Sequence, residues 1–138
     1  MTGTPLRVAF AGLAHSHPHT DAANVRALGA EVVGVYDADA AATSAFSARF
    51  GGITAASAGE LAALLPDLVI ATPRPHEVGP FLQALGSGAA PVFVNKVMAA
   101  TAAQLAVVDR ALAGGSIPIG TSSVLRFAPA LRALAEEV

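Results

Sequence analysis

Short apolar runs alternate with segments of helical period from one end of this chain to the other, and no repeat or low-complexity linker interrupts the alternation. A chain patterned this way buries its runs as strands and lays its amphipathic segments over them, which selects successive βαβ units. The first run, Leu6 to Ala11, is apolar apart from Arg7 and is closed by Gly12. It is too short for a helix and reads as a strand buried on both faces. Pro18 then sits where a first helical turn does not need its missing N–H, and Ala22, Val25 and Leu28 recur at helical spacing up to Gly29. Glu31 to Tyr36 gives a second strand, followed by a helix carrying Ala42, Phe46 and Phe50 and stopped by Gly51-Gly52.

The same logic continues downstream. Ile53 to Ala55 is a weak third strand. Ser57 and Glu60 have capping-box spacing over Leu61, Leu64 and Leu65, and Pro66-Asp67 ends that short helix. Leu68 to Ala71 is a fourth strand; Val78, Phe81, Leu82 and Leu85 form the stripe of the next helix; Gly86 to Gly88 turn the chain into a fifth strand, Val92 to Val94. Thr101 and Gln104 cap a helix over Leu105, Val108 and Leu112 that Gly114-Gly115 end. Ile117 to Gly120 offers a sixth strand, and Pro129 opens a last helix with Leu131, Leu134 and Val138 turned inward. The expected fold class is α/β: a doubly wound parallel sheet of about six strands with helices on both faces.

Composition narrows the function. Of 138 residues 54% are apolar and 13% charged, enough to bury a sizeable core, so intrinsic disorder is excluded. A formal charge of −2 lacks the basic surplus that nucleic acid or anionic lipid demands, so neither is expected as a partner. Cysteine is absent, which removes disulfides and thiolate metal sites, suits a reducing compartment, and means that any redox role must be borrowed from a cofactor. The N-terminus has no basic stretch leading into an apolar one, and no apolar run reaches the roughly 18 residues of a membrane span. A cytoplasmic protein is expected.

On a doubly wound sheet ligands bind beyond the carboxyl ends of the strands, which directs attention to four segments. The first strand-to-helix turn, Gly12-Leu13-Ala14-His15-Ser16-His17, keeps the first glycine of a GxGxxG fingerprint but has Ala and His at the other two positions. Free N–H groups at the helix start still make an anion site there, and Gly12, Ala14, His15, Ser16 and His17 are the candidate phosphate contacts. An ordinary βα turn without a nucleotide is the alternative. His15, His17 and His19 alternate and could grip a metal, but Pro18 and the expected helix start scatter their directions, so no metal site is assigned.

Asp37 ends the second strand, 25 residues after Gly12, about where an acidic group accepts both hydroxyls of an adenine ribose. Such a carboxylate favours NAD over NADP, since a 2′-phosphate is repelled and no arginine follows closely to receive it. A plain helix cap near Asp39 is the alternative. Thr72, Pro73 and His76 lie beyond the fourth strand as candidate cofactor contacts, with a stiff loop and a helix cap as their ordinary roles. Lys96, the only lysine beside seven arginines, projects from the end of the fifth strand into the same crevice.

These segments, in this order, resemble the N-terminal domain of the glucose-fructose oxidoreductase / inositol dehydrogenase / MocA family of NAD(P)-dependent oxidoreductases. The resemblance is carried by Arg7 to Gly12, Val35-Tyr36-Asp37, Asp67 to Pro73 with His76, Gly88 to Val97, Ala99 to Ala111, and Arg126-Phe127-Ala128-Pro129. It implies a Rossmann-like fold, NAD as cofactor, and Lys96 as the catalytic residue beside the nicotinamide, orienting a small polar, sugar-like substrate at a hydroxyl or carbonyl. Asn95 and Val97 depart from the family's Glu-Lys-Pro motif, removing a carboxylate and a ring beside the lysine.

Family members carry a second α/β domain that supplies most substrate contacts and an acid/base group. The resemblance therefore implies that residues 1–125 are a dinucleotide domain and 126–138 the start of a connection to a C-terminal domain, through which a homo-oligomer could form. This chain alone is then expected to be inactive. A non-catalytic nucleotide-binding or regulatory module is the competing reading, and a methyltransferase, which also places an acidic residue after its second strand, a more distant one.

Overall fold

The computed structural model describes residues 3–86, 89–113, 117–122 and residue 129. Six strands, β1 (Arg7–Ala11), β2 (Glu31–Tyr36), β3 (Ile53–Thr54), β4 (Leu68–Ala71), β5 (Val92–Asn95) and β6 (Ile119–Ser122), form one sheet in the order β3-β2-β1-β4-β5-β6. Every pairing is parallel. The helices α1 (His17–Ala27), α2 (Ala40–Phe50), α3 (Ala58–Ala63), α4 (Pro75–Leu85) and α5 (Ala102–Ala113) are the crossovers. This is the doubly wound, Rossmann-like sheet expected from the pattern, with its strand order reversing between β1 and β4.

Alternate residues of β1 feed two apolar layers, and in β2 a register irregularity puts Val32 and Val35 in one layer and Val33 in the other. Val8, Phe10, Val32 and Val35 pack with Ala22 of α1 and Phe46 and Phe50 of α2. Ala9, Ala11, Val69, Ala71, Val92 and Val94 pack on the other face with Leu61, Val78, Phe81, Leu82 and Leu85. Phe10, Phe46 and Phe50 form a ladder with centroids 5.3 and 4.9 Å apart, and the His19 ring joins it at 5.4 Å from Phe46. Fully buried, Phe10 and Phe46 are each worth about 1.5–3 kcal/mol of apolar transfer. Arg7, the polar break in β1, is put to use at the strand's start: its guanidinium donates to the Leu64 carbonyl and its N–H to Asp67, both at 2.8 Å, tying the end of α3 to the sheet.

Four sequence expectations shift, one of them at Leu65, which lies past the end of α3 at Ala63 and is 74% exposed instead of joining Leu61 on a buried stripe. The sixth strand begins at Ile119 instead of Ile117, because Pro118 has no N–H for the ladder and offers only its carbonyl, which accepts from Val92 at 2.8 Å. Leu28 is 87% exposed, since α1 ends one residue earlier, and Leu105 is 48% exposed although its spacing places it on a buried stripe. The α4–α5 contact explains the second: Gly79 of α4 lets the Val107 side chain approach so closely that a Cβ at 79 would collide with it, so α5 is seated on Val107 and Val108. At both expected capping boxes the hydroxyl half forms, Ser57 accepting the Glu60 N–H at 3.1 Å and Thr101 the Gln104 N–H at 3.2 Å, while the returning Glu60 and Gln104 side chains accept from Ala56 and Ala100, one residue before each cap. The Gly114-Gly115 stop, Arg126-Phe127-Ala128, Leu131, Leu134 and Val138 lie outside the described residues. No helix among the described residues is long and apolar enough to cross a membrane.

Candidate functional site

Because all strands run the same way, every strand's carboxyl end lies along one edge of the sheet. Register keeps those ends level: Ala11 pairs with both Tyr36 and Ala71, Ala71 with Val94, and Asn95 with Ser122. Gly12, Asp37, Thr72 and Lys96 each follow closely on one of these ends, so the segments singled out in the sequence share a crevice edge. Two of them are on opposite sides of the strand-order reversal: Asp37 after β2, Lys96 after β5.

The Asp37 side is a formed pocket of about 430 Å³ whose walls include Gly12, Tyr36, Ala58, Pro73, Arg74 and Phe81 together with Asp37, His76 and Pro80. The Tyr36 and Phe81 rings stack 6.5 Å apart, 11° from parallel, along one wall. Asp37 is not the cap of α2. That role belongs to Asp39, whose carboxylate accepts from the N–H groups of Ala41 and Ala42. Asp37 instead accepts the Leu13 N–H at 2.6 Å on one oxygen and the Asp39 N–H at 2.8 Å on the other. Each oxygen keeps a lone pair for a hydroxyl donor.

Gly12 is held at φ +82°, and a Cβ there would come within 2.6 Å of the Thr72 and Pro73 backbone. Gly12 needs to be glycine for both reasons, left-handed backbone and close approach. Thr72 is 2% exposed, and its Oγ1 is buried with no partner among the described residues. A buried hydroxyl left unpaired is an invitation to a ligand group or a water. Ala14, His15, Ser16 and His17 are exposed at the start of α1. Among the described residues their N–H groups meet no backbone acceptor, whereas the His19 N–H is turned back to Ser16. Pro18 subtracts one donor from this helix start. His19 is separated from the other two histidines, packed on Phe46 and Phe50. No group of three or more His, Asp or Glu side chains among the described residues is placed to share a metal ion.

Arg74 and Glu77 escape a sequence reading because they matter only once α4 is folded beside Asp37. Glu77 accepts the Arg74 N–H at 2.8 Å and lies 3.4 Å from its guanidinium. An arginine side chain has no acceptor, so only this half of a reciprocal helix cap is made. The sequence shows no arginine soon after Asp37, yet the fold brings Arg74 to the wall of the same pocket. His76, 64% exposed at its side chain, lines that pocket too and lies 3.9 Å from Glu77.

The Lys96 side is more open. Lys96 is exposed at the tip of β5, its peptide bond to Val97 is cis, and it forms no ion pair among the described residues. Next to it, Asn95 Nδ2 donates to Asp21 of α1 at 3.3 Å. Burial pushes the Asp21 carboxyl above its ordinary value, against the opposing pull of His17 one turn earlier and of the Asn95 amide. Asp21 is the third residue that sequence reasoning passes over; its only signal there is that it is the one acidic residue of α1.

The chain matches no protein-family model and no curated protein. It does match solved structures. The WlbA dehydrogenase of Chromobacterium violaceum, in complex with NADH and UDP-GlcNAcA, superposes with a TM-score of 0.80 at 23% identity over 99% of this chain and 40% of that one. Scyllo-inositol dehydrogenase from Lactobacillus casei, with bound NAD(H) and scyllo-inositol, gives 0.76 at 14% identity over 96% and 40%. The Thermus thermophilus WlbA dehydrogenase, in complex with NAD and UDP-GlcNAcA, gives 0.67 at 19% over 95% and 46%. The chain thus spans about 40% of the length of the first of these, and at such identities the likeness shows the fold. A scyllo-inositol dehydrogenase is thus among the proteins whose cofactor-binding part shares this fold.

Proposed function

We propose that this chain is the cofactor domain of a nicotinamide-dependent oxidoreductase of the glucose-fructose oxidoreductase / inositol dehydrogenase / MocA type, with NAD preferred to NADP. The observation that carries the proposal is Asp37: a carboxylate fixed by two backbone N–H groups, with lone pairs to spare, on the wall of a 430 Å³ pocket at the first half of a doubly wound sheet. That is the arrangement by which such sheets hold an adenine ribose diol. Three further features fit a dinucleotide: the unpaired Thr72 hydroxyl, the free N–H groups before α1, and the close passage of Pro73 over Gly12.

In this reading Gly12, Ala14, His15, Ser16 and His17 take the pyrophosphate, Thr72, Pro73 and His76 border the cofactor, and Lys96 meets substrate. A bound nicotinamide ring supplies hydride exchange with a substrate carbon. The Lys96 ammonium donates a hydrogen bond to the oxygen on that carbon and offsets negative charge there, a contribution that grows where water is excluded. Residues 1–125 are the dinucleotide domain and 126–138 lead to a substrate domain. The sugar-derived and cyclitol ligands of the structural neighbours support a small polar substrate acted on at a hydroxyl or carbonyl.

Titrating NADH into the chain while following its fluorescence tests the proposal. Saturable binding that weakens at least about tenfold in Asp37→Ala is expected, from the loss of a charge-assisted contact to the ribose. Absence of NADH binding by the unaltered chain sinks it.

A further inference from the structure

We propose that Asp21 fixes which way the Asn95 side-chain amide faces, so that Asn95 Oδ1 serves as a hydrogen-bond acceptor for the nicotinamide riboside half of the cofactor. The inference rests on the cofactor reading above and adds a residue pair to it.

An asparagine amide offers two donors on one side and an acceptor on the other, and it can be turned over at little cost unless its partners decide. Here the partner decides. Asp21 is half-buried on α1, and an ionised carboxylate accepts only, so the Asn95 NH2 group must turn towards it, as the 3.3 Å contact shows. Asn95 Oδ1 then accepts no hydrogen bond among the described residues. The pair joins residues 74 apart in sequence, one on the helix whose start faces the crevice and one on the last residue of β5, immediately before Lys96.

Position says which half of a dinucleotide this acceptor meets. Asp37 stands after β2 and Asn95 ends β5, on the two sides of the strand-order reversal across which a dinucleotide is stretched. With the adenine ribose at Asp37, the nicotinamide riboside belongs to the Asn95 side. It brings two kinds of donor, ribose hydroxyls and the carboxamide NH2, and either satisfies an oriented acceptor. Asp21 is a positioning residue, acting through Asn95.

The test compares affinities for NADH, ADP-ribose and ADP in the full chain. ADP carries the adenosine and phosphates but neither donor, so it reports on folding and on the Asp37 side alone. Asn95→Leu removes the acceptor and is expected to weaken NADH about fivefold while leaving ADP unchanged. Asp21→Asn admits both amide orientations, halves the competent population and weakens NADH about twofold. The exchange variant Asp21→Asn/Asn95→Asp restores an oriented acceptor at 95, held by a donor at 21, and recovers NADH affinity to within about twofold of the starting protein. If ADP-ribose follows NADH through the series the donor is the ribose, and if it follows ADP the donor is the carboxamide; both support the inference. Unchanged NADH affinity in Asn95→Leu, or no recovery in the exchange variant while ADP still binds, overturns it. Failure of ADP and NADH alike to bind the unaltered chain instead overturns the cofactor reading beneath it.

Discussion

The Leu13 N–H donates to Asp37 Oδ2 at 2.6 Å, so the turn after β1 is tied directly to the tip of β2. The carboxylate that faces the pocket is also what shapes the pocket's floor, and the two roles separate on substitution. Asp37→Asn keeps one carbonyl oxygen for two backbone donors and should lose about 1 kcal/mol of stability, with NADH affinity falling several-fold. Asp37→Ala leaves both donors without this acceptor and should be worse on both counts. Urea denaturation read beside NADH titration checks whether the two losses rise together, and an Asp37→Ala protein that binds NADH normally contradicts the assignment.

Gly12→Ala tests the contact between the first turn and the β4 loop. Its Cβ meets three backbone atoms at 2.6 Å, none of which belongs to a flexible side chain, and the backbone at φ +82° is strained for any L residue. The left-handed conformation alone accounts for about 1–2 kcal/mol, and displacement of Thr72-Pro73 adds to it. A fall in urea stability of more than about 2 kcal/mol is expected. A variant as stable as the original shows that the β4 loop yields freely and that Gly12 is not needed for close approach.

Most of the fold is legible in the sequence, because both periods are set by burial. The runs at β1, β2, β4 and β5 are apolar on both faces since helices cover both, and the stops at Gly12, Gly29 and Gly51 all have positive φ in the structure. Strand order is consistent with the βαβ pattern together with the usual rules of connection. What is not legible depends on contacts between elements. Leu105 has the spacing of a core residue, yet Gly79 decides how α5 is seated. The place of Asp37 on the pocket wall is legible because its distance from Gly12 is a local property. Arg74, Glu77 and Asp21 are missed because each meets its partner only after a helix is laid against the sheet edge.

Cofactor choice follows from the charges around the pocket. A 2′-phosphate would sit near Asp37 and is repelled by it, while Arg74, on the same wall, is the one guanidinium among the described residues lining that pocket and is engaged by Glu77 at 3.4 Å. NADH should therefore bind more tightly than NADPH. Glu77→Gln removes the competing carboxylate and should raise NADPH affinity severalfold while changing NADH little, because only the former carries the extra phosphate. Arg74→Ala should cancel that gain. Parallel fluorescence titrations with the two reduced cofactors measure it, and an equal gain for both in Glu77→Gln argues against Arg74 as a phosphate partner.

Asp21 should make the fold less stable as pH rises. Burial raises its carboxyl above the ordinary value, with His17 on α1 and the Asn95 amide on β5 the groups that oppose this. A group whose folded-state value lies above its unfolded one stabilises the fold when protonated, and that stability is lost as pH climbs through the folded value. Asp21→Asn is neutral throughout and can still accept from Asn95, so it escapes the loss. Its unfolding free energy should exceed that of the original at pH 7, by less than about 1 kcal/mol because the site is only half-buried and screened by water. Below the ordinary carboxylate range the two proteins should coincide. A gap of the opposite sign at pH 7, or one that persists unchanged at pH 3, shows that the Asp21–Asn95 contact stabilises the ionised form more than burial opposes it, and that holding the amide in place carries no penalty.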